Sequence, residues 1–455
     1  MKNGLLKKLA LLLTGVMVFS AAACGTEAEQ KSSNTLESSN VVESLGSSTA
    51  TENESEHEVV DYADVEFRIG WWGGDARHNS TIEFIEVFEK DYKNLNIDVE
   101  YTGWGDYWTK LSTQAAGGEL PDIIQMDYSY INQYAEAGLL MPLDEYVTDG
   151  MLDLSDVSEN SYSSGVVNGE LLAVPCGVNT FTYAYSVDIA NEAGVTLSDT
   201  PTWDELTDAM RTVYEKTGAQ GRIMKGIDIY ARTYGENYIG EDGKSVGISV
   251  DTLCSYWQRF HDGYEEGWLW NAVDTPIDST GAALKNKTIW LDYGQTNAVG
   301  KWLEESGMEL KFISLPVVEE GIQPGFSKPS MFWAITSECE NPELAVEFIN
   351  YYINDVRVYE IAGFERAVPI SNAIREELAD SMTKAETMQV EFITWMEDGH
   401  SSAIFPPTPA KWNEAVVLIT ETSDLMDYHE LAPEDHERLA TEGIAYANEV
   451  LSAAE

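Results

Sequence analysis

Apolar and polar positions alternate strictly along Val65-Glu66-Phe67-Arg68-Ile69, the period of a strand with one buried face. Trp71-Trp72-Gly73-Gly74 reads as the loop after it. Ser80-Thr81-Ile82-Glu83 then predicts a capping box, opening a helix whose inner face carries Ile82, Ile85 and Phe88. Residues 97–101 alternate again and predict a second strand. A helical stretch over 107–116 is broken by Gly117-Gly118, and Pro121-Asp122-Ile123-Ile124-Gln125-Met126 predicts a short buried strand. A further helix runs through Ile131, Tyr134 and Ala135. Strand, helix, strand, helix, strand is the signature of an α/β sheet with mainly parallel pairing.

Residues 171–189 are apolar and strand-like, with Pro175 and Gly177 near the middle. Thr202-Trp203-Asp204-Glu205 predicts another helix start, Thr202 as N-cap and Glu205 as its capping-box partner. Asp242-Gly243 suggests a hairpin tip. Asn341-Pro342-Glu343 opens a helix in which Asn caps, Pro tolerates the first position, and Leu344, Phe348 and Tyr352 lie one above another. No repeat of 20–50 residues is visible, which argues against solenoids and propellers.

The front of the chain has a different pattern. Lys2, Lys7 and Lys8 precede an almost wholly apolar run over 9–19, and Ser20-Ala21-Ala22-Ala23 supplies small residues before Cys24. These are the three regions of a signal peptide, 1–23, and the apolar run is shorter than the roughly 20 residues of a spanning helix. The run resembles a bacterial lipoprotein signal, which implies a lipid on Cys24. Ala21 stands where such signals usually carry Leu, and an Ala21-x-Ala23 site for ordinary signal peptidase would cut at the same bond. Over 24–61 the chain is Ser, Glu, Thr and Asn with scarcely a large apolar residue, too little to offset ordering entropy. It reads as a disordered tether, spanning roughly 30–36 Å as a flexible coil.

Composition narrows the function. With 78 Asp+Glu against 27 Lys+Arg the net charge is −51, which disfavours nucleic acid and electrostatic adhesion to anionic lipid but not an uncharged ligand. At 455 residues and 44% hydrophobic the body has ample apolar side chain for two or three cores. Four Cys are too few and too scattered for a disulfide framework; beyond Cys24, Cys176, Cys254 and Cys339 have no local pairing.

Catalytic motifs are mostly missing. No G-x-S-x-G stands as an elbow between a strand and a helix, since Gly243-Lys244-Ser245-Val246-Gly247 fits the letters only at the expected hairpin tip, and there is no H-E-x-x-H, since His57-Glu58 lacks a second His. Gly243-Lys244-Ser245 imitates a phosphate-binding loop, but Tyr238 occupies the place of its leading Gly. Asp274 and Asp278 lack the oxygen spacing of a Ca loop, so no metal is expected. Paired carboxylates are uninformative among so many acids. The aromatic placement says more. Trp71-Trp72-Gly73-Gly74-Asp75, Gly103-Trp104-Gly105-Asp106, Met126-Asp127-Tyr128 and Trp290-Leu291-Asp292-Tyr293-Gly294-Gln295 set rings beside Gly, Asp or Asn at predicted strand ends. In open α/β sheets ligands bind outside the carboxyl ends of strands, and a ring beside a polar group suits the C–H face and hydroxyls of a sugar. Trp302, Trp395 and Tyr352 have helical settings and belong to the core.

Gly117-Gly118-Glu119-Leu120-Pro121-Asp122-Ile123-Ile124-Gln125-Met126-Asp127, followed by Tyr134-Ala135-Glu136-Ala137-Gly138-Leu139-Leu140-Met141-Pro142-Leu143-Asp144, resembles the extracellular solute-binding proteins of family 1, sugar receptors of ABC importers. Gly169-Glu170-Leu171-Leu172-Ala173-Val174-Pro175, Ser327-Lys328-Pro329-Ser330 and Asn341-Pro342-Glu343-Leu344-Ala345 extend the match in order from about residue 65 to the C-terminus. The resemblance implies a two-lobed periplasmic-binding-protein fold, type II-like, each lobe a mainly parallel sheet flanked by helices, joined by a multi-crossing hinge. By analogy the first lobe comprises 62–180 with 332–370 and the second 181–331 with 371–455. The family's loops map ligand contact onto Trp72, Asp75, Arg77, Trp104, Asp127, Tyr128, Asn179 and Tyr183, and in the second lobe onto Tyr293 with Asn297, Trp268 and Trp412; Trp333 and Arg366 flank later crossings.

The function so implied is binding without catalysis or cofactor: a monomeric receptor for a sugar or oligosaccharide, lipid-anchored through Cys24 on the outer face of the bacterial cytoplasmic membrane, delivering to ABC permease subunits. The alternatives are an exported glycoside hydrolase, which needs a carboxylate pair, and a receptor for a peptide or polyol.

Overall fold

The computed structural model describes residues 62–63, 65–405, 409 and 411–453, all within the unit Val59–Glu455. The signal peptide, Cys24 and the tether lie outside the described residues. In chain order the strands used below are β1 (Phe67–Trp72), β2 (Ile97–Thr102), β3 (Ile123–Met126), β4 (Val174–Pro175), β5 (Val178–Asn179), β6 (Phe181–Ser186), β7 (Gln220–Gly221), β8 (Ile289–Gln295), β9 (Leu310–Ile313), β10 (Lys328–Pro329) and β11 (Phe332–Ile335). The helices are α1 (Asp75–Glu89), α2 (Trp104–Gly117), α3 (Trp203–Thr217), α4 (Ile227–Arg232), α5 (Val250–Glu266), α6 (Pro342–Asn354), α7 (Asn372–Leu378), α8 (Lys384–Glu397), α9 (Trp412–Ala415) and α10 (His436–Ser452).

Two sheets result. The first has the order β2-β1-β3-β11-β4 and the second β9-β6-β8-β7. Pairing is parallel between β1 and β2 and between β1 and β3, as the helical crossovers require. In the second sheet β7 also pairs parallel with β8, but the other pairings depart from the expectation of mainly parallel sheets. β11 runs antiparallel to β3 and β4, and β6 runs antiparallel to β8 and β9. The reason is how the chain arrives. β5 carries it from the first sheet to the second and β10 carries it back, the two pairing antiparallel with Lys328 opposite Asn179. A strand that enters from such a ribbon has no crossover helix to reverse it, so it takes the antiparallel direction.

Each sheet has its own core. Phe67, Ile69, Trp71 and Ile123 pack with Leu344, Phe348 and Tyr352 of α6, placing those three residues on the buried face as their spacing predicts. Tyr183, Trp257, Trp290 and Leu291 centre the second. A smaller cluster joins Phe312 to Phe392 and Met396, with Trp302 and Trp395 partly buried against it. Each fully buried large side chain contributes about 1.5–3 kcal/mol by leaving water.

Local signals fared unevenly. The Thr202–Glu205 capping box forms in full. Asn341 occupies a cap position but makes no side-chain cap bond. The capping box expected at Ser80–Glu83 is absent, because α1 starts earlier, at Asp75 after Gly74. Ser80 and Thr81 instead bond back to the Arg77 carbonyl inside the helix, and Thr81, Phe84, Ile85 and Phe88 are its buried residues. Cys176, Cys254 and Cys339 are free thiols.

Candidate functional site

Because β1, β2 and β3 run parallel, their carboxyl ends share one edge of the first sheet, and aromatic residues collect there. Trp72 ends β1, Trp104 is the first residue of α2, and Tyr130 follows β3. Trp104 meets Trp72 at 5.0 Å and Trp108 at 5.3 Å, both edge-on, while Tyr130 stacks on Trp108 at 3.8 Å and 14°. Trp72 is only 7% exposed; Trp104 is 46% exposed. The ring presented to solvent is therefore Trp104, and Trp72 props it.

Polar groups fix this edge from beneath. Arg77 bonds both carboxylate oxygens of Glu365 at 2.9 Å and donates to the Trp72 carbonyl at 3.3 Å. A Cβ on Gly73 would come within 2.7 Å of the Arg77 side chain, so only glycine lets that stem lie against the loop. Asp75 is exposed in the first turn of α1. Asp127 accepts from the Ser129 amide at 2.9 Å, and Tyr128 donates to the Phe405 carbonyl at 2.8 Å. Burial lowers the Lys328 pKa, opposed by the neighbouring Asp127 charge.

On the second sheet Tyr293 is half-buried beside Tyr183, ring centroids 6.2 Å apart. Arg222 lies over Trp270 at 4.6 Å and pairs with Asp292 at 2.5 Å, and Thr280 donates to the same carboxylate at 2.7 Å. Burial raises the Asp292 pKa against the pull of Arg222. Asn297 is exposed in the turn after β8. Trp412 meets Tyr238 edge-on at 5.1 Å, and together with Asp228, Arg232, Asn237 and Phe405 they line a cavity of about 120 Å³. A neighbouring cavity of about 240 Å³ shares Asp228 and Tyr238 and adds Lys225, Tyr256 and Asp427. Burial raises the Asp228 pKa, and the buried Tyr238 hydroxyl has no partner among the described residues.

Five of the expected contact residues are not at any such surface. Trp333 and Arg366 are 0% and 2% exposed; Arg366 donates to Gln125 Oε1 at 3.1 Å and Thr81 Oγ1 at 2.7 Å, and Gln125 in turn donates to the Trp72 carbonyl. They support the aromatic edge instead of forming it. Asn179 is buried and accepts from Thr296, and Tyr183 is buried with its hydroxyl accepting from the Met224 amide at 2.9 Å. Trp268 is buried just after the end of α5, donating to Glu266 at 2.8 Å and bordering an open polar groove with Asp204, Arg211 and Arg259. That groove, about 490 Å³, is larger than either cavity above, but its lining is dominated by charged groups already paired or stacked, such as Arg211 with Glu266 and Arg259 over Trp203. In place of the five, the structure supplies Trp108, Tyr130, Asp228, Asn237, Tyr238 and Arg222. Asn237-Tyr238 between Gly235 and Gly240 has the same aromatic-beside-polar form read elsewhere in the chain, so its signal was present.

The profile of the bacterial extracellular solute-binding proteins matches residues 76–356, more than half of the chain. A carbohydrate ABC transporter substrate-binding protein of Streptococcus pneumoniae serotype 4 is 29% identical over 278 residues, 56% of this chain and 54% of that protein. A maltotriose-binding protein of Pyrococcus abyssi is 24% identical over 260 residues, 54% of each. The chain thus spans about half the length of these curated relatives. A solved family 1 extracellular solute-binding protein from Alicyclobacillus acidocaldarius superposes with a TM-score of 0.75 at 26% identity, covering 85% of this chain and 98% of that one. Two sheets, each with its own core and joined by a strand ribbon, are the two-lobe fold of those neighbours, and with the profile match they establish that the chain belongs to the bacterial extracellular solute-binding proteins.

Proposed function

We propose that the protein is an extracellular carbohydrate receptor, binding an oligosaccharide between its two lobes and presenting it to the membrane subunits of an ABC importer. The observation that carries the reading is the exposed Trp104 ring, braced edge-on by Trp72 and Trp108, at the carboxyl edge of the first sheet. A rigid aromatic surface covers the C–H face of a sugar ring at little entropic cost, and the second lobe supplies the hydroxyl partners through Asp228, Asn237 and Tyr238 beside Trp412. Ligand touching both lobes stabilises the closed form by no more than its differential affinity for the two states. Relatives and neighbours whose names specify maltotriose or other carbohydrates support the class.

The lobes in this reading are 62–180 with 332–370 and 181–331 with 371–455, turning about the β5–β10 ribbon. Cys24 carries the lipid, the 24–61 segment spaces a monomeric body from the membrane, and the protein itself catalyses nothing. A thermal-shift screen over mono- and oligosaccharides tests it, since a ligand held only by the folded state raises its stability. A rise with one sugar series supports the reading. No shift with any carbohydrate, or sustained release of new reducing ends, overturns it.

A further inference from the structure

Residues 397–405 leave the end of α8 and are bonded from both halves of the molecule. On the first-lobe side, Ser161 donates to the Glu397 carboxylate at 2.5 Å; α7, whose Ile374 and Leu378 pack in the first core, adds Arg375, which donates to the same carboxylate at 2.6 Å in an ion pair whose side chains are 3% and 8% exposed. Asn160 reaches Ser401 at 3.2 Å, and Tyr128 closes the far end on the Phe405 carbonyl at 2.8 Å. On the other side, Arg232 donates to Ser402 Oγ at 2.5 Å and to the Ala403 carbonyl at 2.9 Å. The Ser402 amide donates to the Gly325 carbonyl at 2.9 Å, and the Phe405 ring packs on Phe326 at 5.3 Å. α8 has the same double allegiance: Ile393 lies in the first core, while Phe392 and Met396 belong to the cluster around Phe312.

The strap is also one wall of the smaller cavity. Phe405 lines it directly, and Arg232, which lines it too, is the residue gripping Ser402 and Ala403. Whatever settles against Tyr238 and Trp412 therefore touches the element that Tyr128 holds from the opposite lobe.

We infer that the 397–405 strap couples occupancy of the Asp228–Trp412 cavity to the position of the first lobe, and that the Tyr128 hydroxyl is the positioning group that fastens it. This rests on the carbohydrate-receptor reading for its ligand, but the fastening itself does not. Tyr128 then acts through Phe405 and not by bonding sugar. Its hydroxyl holds the unliganded protein toward the closed arrangement, and losing it reduces the fraction of molecules competent to bind.

The test is Tyr128→Phe in the full chain, which keeps the ring stacked near Phe332 and removes only the donor. Small-angle scattering without sugar should give a larger radius of gyration than the wild type, and calorimetry with the best sugar of the thermal-shift screen should give a dissociation constant about fivefold weaker, the worth of one neutral hydrogen bond. Ser402→Ala, which loosens the strap from the other side, should move both readouts in the same direction. Unchanged scattering with weakened binding would mean the hydroxyl merely contacts sugar, and enlarged scattering with unchanged binding would mean the strap does not report on the cavity; either overturns the inference. If the wild type binds no sugar at all, the receptor reading falls while scattering still decides the fastening.

Discussion

Trp104 stands edge-on to Trp72, ring centroids 5.0 Å apart and planes at 80°, so one indole is spent supporting another. The supported ring is the exposed one, and it begins a helix directly after the Gly103 cap. Trp104→Ala should therefore weaken sugar binding about tenfold by calorimetry while moving the unliganded melting temperature by no more than a degree or two, as expected of a surface substitution. A large fall in melting temperature with unchanged affinity would assign the ring to structure.

Arg366 behaves in the opposite way. Its guanidinium is buried, bonded to Gln125 and Thr81, 5.3 Å over the Trp333 ring, and 3.8 Å from Glu365. Arg366→Ala deprives the buried Gln125 Oε1 and Thr81 Oγ1 acceptors of their donor, while Thr81 still bonds the Arg77 carbonyl, and roughly 3 kcal/mol of stability should be lost in urea unfolding. Any effect on affinity should follow from disorder of the Trp72 loop, because Gln125 holds the Trp72 carbonyl.

Tyr238 separates binding from folding more cleanly. Its buried hydroxyl has no partner among the described residues, so Tyr238→Phe removes a desolvated group and should leave stability unchanged or slightly raised. If a sugar hydroxyl completes that group, affinity should fall about tenfold, and unaltered calorimetric affinity would show that the cavity is not a subsite.

Stability should depend on pH through His436. Burial is the main cause of its lowered pKa, reinforced by His261; Asp262, Asp435 and Glu434 oppose it, and His429, Glu265 and Glu430 line the same cavity. A histidine held below its ordinary value is neutral in the fold, so the unfolded chain binds the extra proton. Stability should accordingly be complete above pH 6.5 and fall as the pH drops below it toward the depressed folded value. His436→Gln should flatten that part of a melting-temperature profile measured from pH 7.5 to 5; an unchanged slope would place its cause elsewhere.

Much of this protein is legible in the chain because it depends on neighbours in sequence. The existence of β1 and β2, the spacing of Leu344, Phe348 and Tyr352, and the Thr202–Glu205 box are local matters of period and capping and were legible, but β1 starts at Phe67 and runs on through Trp71 and Trp72, which the pattern put in the loop, and Tyr101 in β2 is exposed where the alternation put it inward. The aromatic residues beside Gly at strand ends were also visible, since a parallel sheet must send its carboxyl ends to one edge. Which rings face outward was not. Trp72 and Trp104 have similar surroundings in sequence, and only the packing of α2 across β1 buries the first and exposes the second. Strand direction in β6 and β11 was likewise beyond local pattern, because it follows from the route the chain takes between two cores. The same holds for Tyr128 with Phe405, 277 residues apart: sequence supplied a donor and a carbonyl, and long-range packing alone brought them to 2.8 Å.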